Sequence, residues 1–209
     1  MALLSGDTAL AFFAASVLLA LVPGPDNVFV LLHAAVHGAR AGLLVVLGLC
    51  SGLLFHTAAV ALGLAALLAA SATAFTVLKV LGAAYLLWLA WLSWRAPAGL
   101  PGGDAAPALG ARQTYLRGML MNISNPKVAL FFLAFLPQFV EPARGAVALQ
   151  ILQLGGVFML ATLFTFGAIA LLAGRFGQLL QDSQRAQVRL NRLASMVFVG
   201  LALRLVLGS

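Results

Sequence analysis

The chain has 209 residues, 63% hydrophobic and 8% charged, with 12 Lys plus Arg against 5 Asp plus Glu. Soluble domains carry about 25% charge, so this chain cannot cover a globular surface and reads as a polytopic membrane protein. Most soluble-enzyme, nucleic-acid-binding and secreted-disulfide classes are thereby excluded, and the lone Cys50 offers neither a disulfide nor a cysteine metal cluster.

Residues Met1 to Val22 have no Lys or Arg ahead of the apolar stretch, carry Asp7 there, and lack a small-x-small cleavage site. They read as part of a retained first span rather than a signal peptide. A window of about 19 residues then predicts six spans: Thr8 to His33, Gly42 to Ala70, Thr73 to Trp94, Tyr115 to Val140, Ala146 to Gly174 and Leu190 to Leu207. Lipid offers the backbone no hydrogen-bond partner, so these spans must be helices, and the absence of short alternating segments argues against a barrel. The expected fold is all-α, a single transmembrane domain over residues 1–209.

Arg40, then Arg95, Arg112 and Arg117, then Arg175, Arg185, Arg189 and Arg192 fall on connections 1–2, 3–4 and 5–6. The opposite side has only Lys79, Arg144 and Arg204. The positive-inside rule places the three basic connections in the cytoplasm and both termini outside. The basic balance therefore reports topology, not a nucleic-acid partner. Tyr85, Trp88, Trp91 and Trp94 at the cytoplasmic end of span three read as interfacial anchors in preference to substrate contacts. The Pro-, Gly- and Ala-rich stretch 96–113 reads as a flexible linker between halves of about 1–95 and 114–209.

Spans one and four are interrupted alike, by Pro23-Gly24-Pro25-Asp26-Asn27 and by Asn122-Ile123-Ser124-Asn125-Pro126-Lys127. A shift of 101 residues lays Gly24-Pro25-Asp26 on Asn125-Pro126-Lys127. A repeat of three spans must be inverted, because an odd number of crossings turns the second copy over. Proline removes a backbone donor and clashes with the preceding turn, so each break predicts a discontinuous helix. The segments after the breaks start half-helices whose free N–H groups and positive dipole ends suit an anion such as a carboxylate.

Asp26 and Lys127 occupy equivalent repeat positions with opposite sign. A lone charge at that depth costs roughly 2.5–3.5 kcal/mol on insertion scales, so the two are expected to face each other or a shared wet cavity. A structural ion pair, with Asp26 capping its half-helix, is one role for them; binding a zwitterion between them is the other, and two broken helices favour the second. Asn122 and Asn125, one turn apart, serve either as helix glue or as substrate and backbone ligands. His56, mid-span, is a candidate proton relay. His33 and His37 have a metal-compatible i, i+4 spacing but no third ligand nearby, which favours an interfacial role. Gln138, Gln150 and Gln153 read as packing or interface residues, and Phe131 and Phe132 as core. Gly48 and Gly52 permit close helix approach, compatible with bundle packing or with a homo-oligomer.

Pro23-Gly-Pro-Asp-Asn27, the Gly-rich second span, Leu81-Gly-Ala-Ala-Tyr-Leu-Leu-Trp-Leu89, and Arg117-Gly-Met-Leu-Met-Asn-Ile-Ser-Asn-Pro-Lys127 through Leu136-Pro-Gln-Phe139 resemble the homoserine/threonine-resistance branch of the lysine-exporter (LysE) superfamily. The resemblance implies a multi-pass exporter of amino acids or close derivatives in the bacterial inner membrane. It further implies drive by an ion gradient and no covalent cofactor; a proton that competes with the substrate ammonium for Asp26 is the expected coupling. Expected site residues are Pro23, Gly24, Pro25, Asp26, Asn27, Asn122, Asn125, Pro126 and Lys127. The expected partners are a small zwitterionic substrate and membrane lipid. A metal or inorganic-ion exporter, as some relatives in the superfamily are, is the alternative, weakened by the lack of clustered Cys, His or carboxylates in the spans.

Overall fold

The structure, a computed structural model, describes residues 4–22, 24–70, 72–95, 109–182 and 184–207. Pro23 and most of the 96–113 linker lie outside the described residues. The helices are α1 (Gly6–Leu21), α2 (Pro25–His37), α3 (Ala39–Ala70), α4 (Ala72–Arg95), α5 (Ala111–Ile123), α6 (Pro126–Leu130), α7 (Val147–Asp182) and α8 (Gln184–Leu207). No strand occurs among the described residues.

Local chemistry sets the ends. The Ser5 hydroxyl accepts the Thr8 N–H at 3.1 Å and starts α1. Pro25, with its fixed φ and missing donor, suits the first turn of α2. Gly38 ends α2 at φ 86°, a left-handed conformation that favours glycine. Helix α5 begins at Ala111, inside the stretch expected to be linker, because the Gln113 side chain accepts the Gly110 N–H at 3.3 Å and closes the first turn. Both α7 and α8 run past the expected span ends into polar residues, since Gln and Arg are good helix formers once the chain leaves lipid.

The expected half-helix after the second break is not one continuous helix. Only five residues of α6 are followed by a π-helical turn, Phe131–Phe135, and a 3-10 turn, Leu136–Phe139. Pro137 explains the change. It has no N–H for the Leu133 carbonyl, and its ring would collide with a regular preceding turn; the wider turn, with the Leu136 N–H donating to the Phe131 carbonyl, absorbs the mismatch.

Two helices, Ala39–Gly63 and Val147–Ala173, are each long and apolar enough to cross a membrane. Two bent pairs pass the same test when taken together: Gly6–Leu21 with Pro25–His37 at 65°, and Ala111–Ile123 with Pro126–Phe139 at 48°. Large apolar side chains cover the outside, Leu62 being 80% and Phe164 67% exposed, a surface that water would penalise and lipid would not.

The main packing partners are α3 with α5 and α7, α4 with α8, and α7 with α1 and α2. At the α3–α5 crossing the backbones touch. A Cβ on Gly48 would stand 2.8 Å from the Met119 N, and one on Gly52 2.7 Å from the Asn122 Cβ. The close approach read from Gly48 and Gly52 is thus made within the chain. A cluster of Phe12, Phe131, Phe132, Phe135, Phe139 and Phe158, each at most 4% exposed, fills the core beside the second break.

Candidate functional site

The two breaks meet, and each holds the charge of the other. Lys127, second residue of α6, is 6% exposed and reaches the C-terminal end of α1. Its Nζ donates to the carbonyls of Leu19 at 3.3 Å and Val22 at 3.2 Å. Those acceptors lie where α1 runs out of its own donors, at the negative end of its dipole. Gly24 makes room for the ammonium, since a Cβ there would be 3.1 Å from Lys127 Nζ.

Asp26 is the reciprocal case. It is second in α2, 1% exposed, and lies beside the amides of Asn125 and Asn122 at the end of α5, with Lys127 and His56 within electrostatic reach. Among the described residues the one salt bridge is the exposed Glu141–Arg144 pair. Asp26 and Lys127 therefore share a site without a direct ion pair.

Small groups fasten the broken ends. The Asn27 side-chain amide donates to the Ala20 carbonyl and ties α2 back to α1. The Asn125 side-chain oxygen accepts the Lys127 N–H at 3.0 Å and caps α6. The N-terminus of α2, by contrast, has no side-chain cap. His56 of α3, 7% exposed, places Nε2 3.1 Å from the Asn122 carbonyl. A carbonyl can only accept, so the ring donates from Nε2.

Several polar atoms remain without a partner. Asp26 Oδ1, Asn27 Oδ1, Asn122 Oδ1 and Asn125 Nδ2 are all buried and unpaired among the described residues. Such an atom costs about 1–3 kcal/mol, and four of them gathered at the two breaks describe a place prepared for a polar ligand or for water.

A cavity of about 320 Å³ opens against the breaks, lined by Gly24, Pro25, Asn125, Pro126 and Lys127 on one side and by Tyr85, Trp88, Leu89, Leu92 and Ser93 of α4 with Asn191 and Phe198 of α8 on the other. Of the expected site residues, Gly24, Pro25, Asn125, Pro126 and Lys127 reach the cavity. Asp26, Asn27, Asn122 and His56 do not line it, and Pro23 lies outside the described residues.

Asn191 and Phe198 of α8 carry no sequence signal of a site, and the α4 aromatics carry an ambiguous one. Tyr85 and Trp88 line the cavity, while Trp91 and Trp94 carry Arg95 and Arg192 over their rings at 4.7 and 5.4 Å, as interfacial aromatics do. The sequence signal was an i, i+3 aromatic pair, which an anchor and a site wall share. The His33 and His37 rings lie 4.7 Å apart, tilted at 57°, and among the described residues no group of three His, Cys, Asp or Glu gathers to hold a metal. Gln150, fully buried, fixes the 141–145 turn through the Glu141 backbone and the Gly145 carbonyl.

Broken apolar helices that meet around buried charges, beside a cavity, define a membrane transporter. The chain belongs to the LysE type translocator family, whose profile matches residues 17–209. It is accordingly a membrane transport protein and not an enzyme. It is 33% identical over 192 residues to an uncharacterized membrane protein of Vibrio cholerae, covering 91% of this chain and 92% of that one. It is 31% identical to a homoserine/homoserine lactone efflux protein of Salmonella typhimurium, over 90% of this chain and 91% of that one. To a leucine efflux protein of Klebsiella pneumoniae it is 30% identical, over 94% and 93%. No solved structure matches the chain.

Proposed function

We propose that the protein is a secondary active exporter of amino acids or close derivatives across the bacterial inner membrane, coupled to the proton gradient. The observation that carries this is the exchange of charges at the breaks, with Lys127 on the end of α1 and Asp26 beside Asn122 and Asn125 at the end of α5. In this reading the substrate carboxylate meets Lys127 and the uncapped amides of α2. Its ammonium reaches Asp26 when the Asn125–Pro126 wall moves aside, and a proton competes with it there.

The architecture proposed is six spans in a 3 + 3 inverted repeat, α4 and α8 completing the set, with both termini extracytoplasmic. The packing supports it: α1 lies on α7 as α5 lies on α3, the exchange an inverted repeat demands. The efflux names of relatives at 30% and 31% identity favour an amino-acid substrate. The inorganic-ion alternative has no ligand cluster among the described residues to support it.

The test is efflux from proteoliposomes under an imposed proton gradient. Asp26→Asn and Lys127→Ala are expected to abolish amino-acid efflux in folded, monodisperse protein. Undiminished efflux in both variants would sink the site assignment.

A further inference from the structure

The cavity has one wall that carries a charge and one that carries none, mostly apolar with Ser93 and Asn191 as its small polar groups. Lys127 is the charged residue among those lining it, and it stands at the broken helices. Opposite are Tyr85, Trp88, Leu89 and Leu92 of α4 and Phe198 of α8. The Tyr85 and Trp88 rings lie 5.3 Å apart, tilted at 40°, a pair of neighbouring aromatic faces that serves as a platform. Of the three tryptophans of α4, Trp88 is the one that lines the cavity, and it is 49% exposed.

We infer that this platform is the side-chain subsite of the transported amino acid, that the substrate's side chain is uncharged and largely apolar, of leucine to phenylalanine size, and that Trp88 determines this specificity. The inference rests on the amino-acid exporter reading above.

Three physical arguments carry it. A carboxylate held at Lys127 points the rest of the molecule at α4 and α8, because those helices form the remaining wall. A cavity of about 320 Å³ is roughly ten times the ~30 Å³ that liquid water takes per molecule, room for an amino acid of about ten non-hydrogen atoms. A charged side chain would enter the far half with no counter-charge among the lining residues and would lose its water there. An apolar one gains about fourfold in affinity for each methylene buried, and flat aromatic faces accept branched and aromatic groups alike.

The experiment is counterflow into proteoliposomes, run separately with labelled leucine, phenylalanine, alanine, homoserine and lysine. Leucine and phenylalanine are expected at a KM at least tenfold below those of alanine, homoserine and lysine. Trp88→Ala narrows the leucine-to-alanine ratio about tenfold, and Trp88→Phe restores most of it. Trp91→Ala, one turn on and outside the cavity, leaves the ratio unchanged.

Counterflow favouring homoserine or lysine overturns the inference and leaves the exporter standing; a homoserine preference would assign the wall to Ser93 and Asn191 instead. An unchanged ratio in folded Trp88→Ala overturns the role of Trp88. Counterflow of none of the five, in protein that folds, overturns the exporter reading and this inference with it.

Discussion

His56 Nε2 lies 3.1 Å from the carbonyl oxygen of Asn122, the acceptor that Pro126, four residues on, has no N–H to fill. The Asn125 N–H reaches the same oxygen at 3.0 Å. A break in a buried helix leaves its last carbonyls short of donors, and here a histidine from a neighbouring helix supplies one.

His56→Leu therefore removes a buried donor and is expected to destabilise the protein by about 1–3 kcal/mol, or roughly 2–10 °C in Tm. His56→Gln, which keeps a donor, recovers most of this. If the ring serves the break and not the proton path, the pH profile of efflux in His56→Gln matches that of the parent. A lost pH dependence with unchanged Tm would place His56 among the coupling groups.

Asp26 and Lys127 lend themselves to a double-substitution cycle. Lys127→Met alone leaves Asp26 with no opposite charge in the site, and Asp26→Asn alone does the same to Lys127; breaking a buried pair in direct contact costs roughly 3–5 kcal/mol, and the cost is smaller here, where the two charges share a site without touching. The double variant is expected to be more stable than either single one, with a coupling above about 1 kcal/mol in detergent melts. Strict additivity would mean that the charges act independently.

Gly24 gives a cleaner probe of transport. A Cβ there meets Lys127 Nζ at 3.1 Å and moves the ammonium, while the helices on either side keep their packing. Gly24→Val is expected to raise KM about tenfold, the equivalent of ~1.4 kcal/mol, with little change in Tm. A large fall in Tm with KM intact would reverse that account.

The α3–α5 crossing predicts the opposite pattern. A Cβ on Gly118 would collide with the Val45 carbonyl and stand 3.2 Å from the Val45 Cα. Backbone cannot swing aside as a side chain can, so Gly118→Val is expected to cost about 3 kcal/mol or more and to lower the yield of monodisperse protein. Gly63→Ala, with nothing within 4 Å of the added atom, is expected to be tolerated.

Much of the molecule was legible in the chain. The two interrupted spans were marked by their prolines, since a missing N–H breaks the helical ladder at that residue whatever packs around it, and Asp26 and Lys127 stood out because charge is scarce in so apolar a sequence. Other features were not. The π and 3-10 turns after Leu130 depend on how Pro137 is accommodated among packed phenylalanines, and Gly48 and Gly52 did not reveal which helix they admit.

The sequence by itself determined the membrane setting, the helical class and the positions of both breaks, because composition and proline act locally and hold in any packing. Only the tertiary structure decided that Lys127 holds the carbonyls of Leu19 and Val22, that Asp26 lies with Asn122 and Asn125, and that Tyr85 and Trp88 share a cavity with Lys127 and Asn125. Those relations join residues from about forty to more than a hundred positions apart. They arise from which helix ends run short of hydrogen-bond partners once the bundle closes, and no local pattern records that.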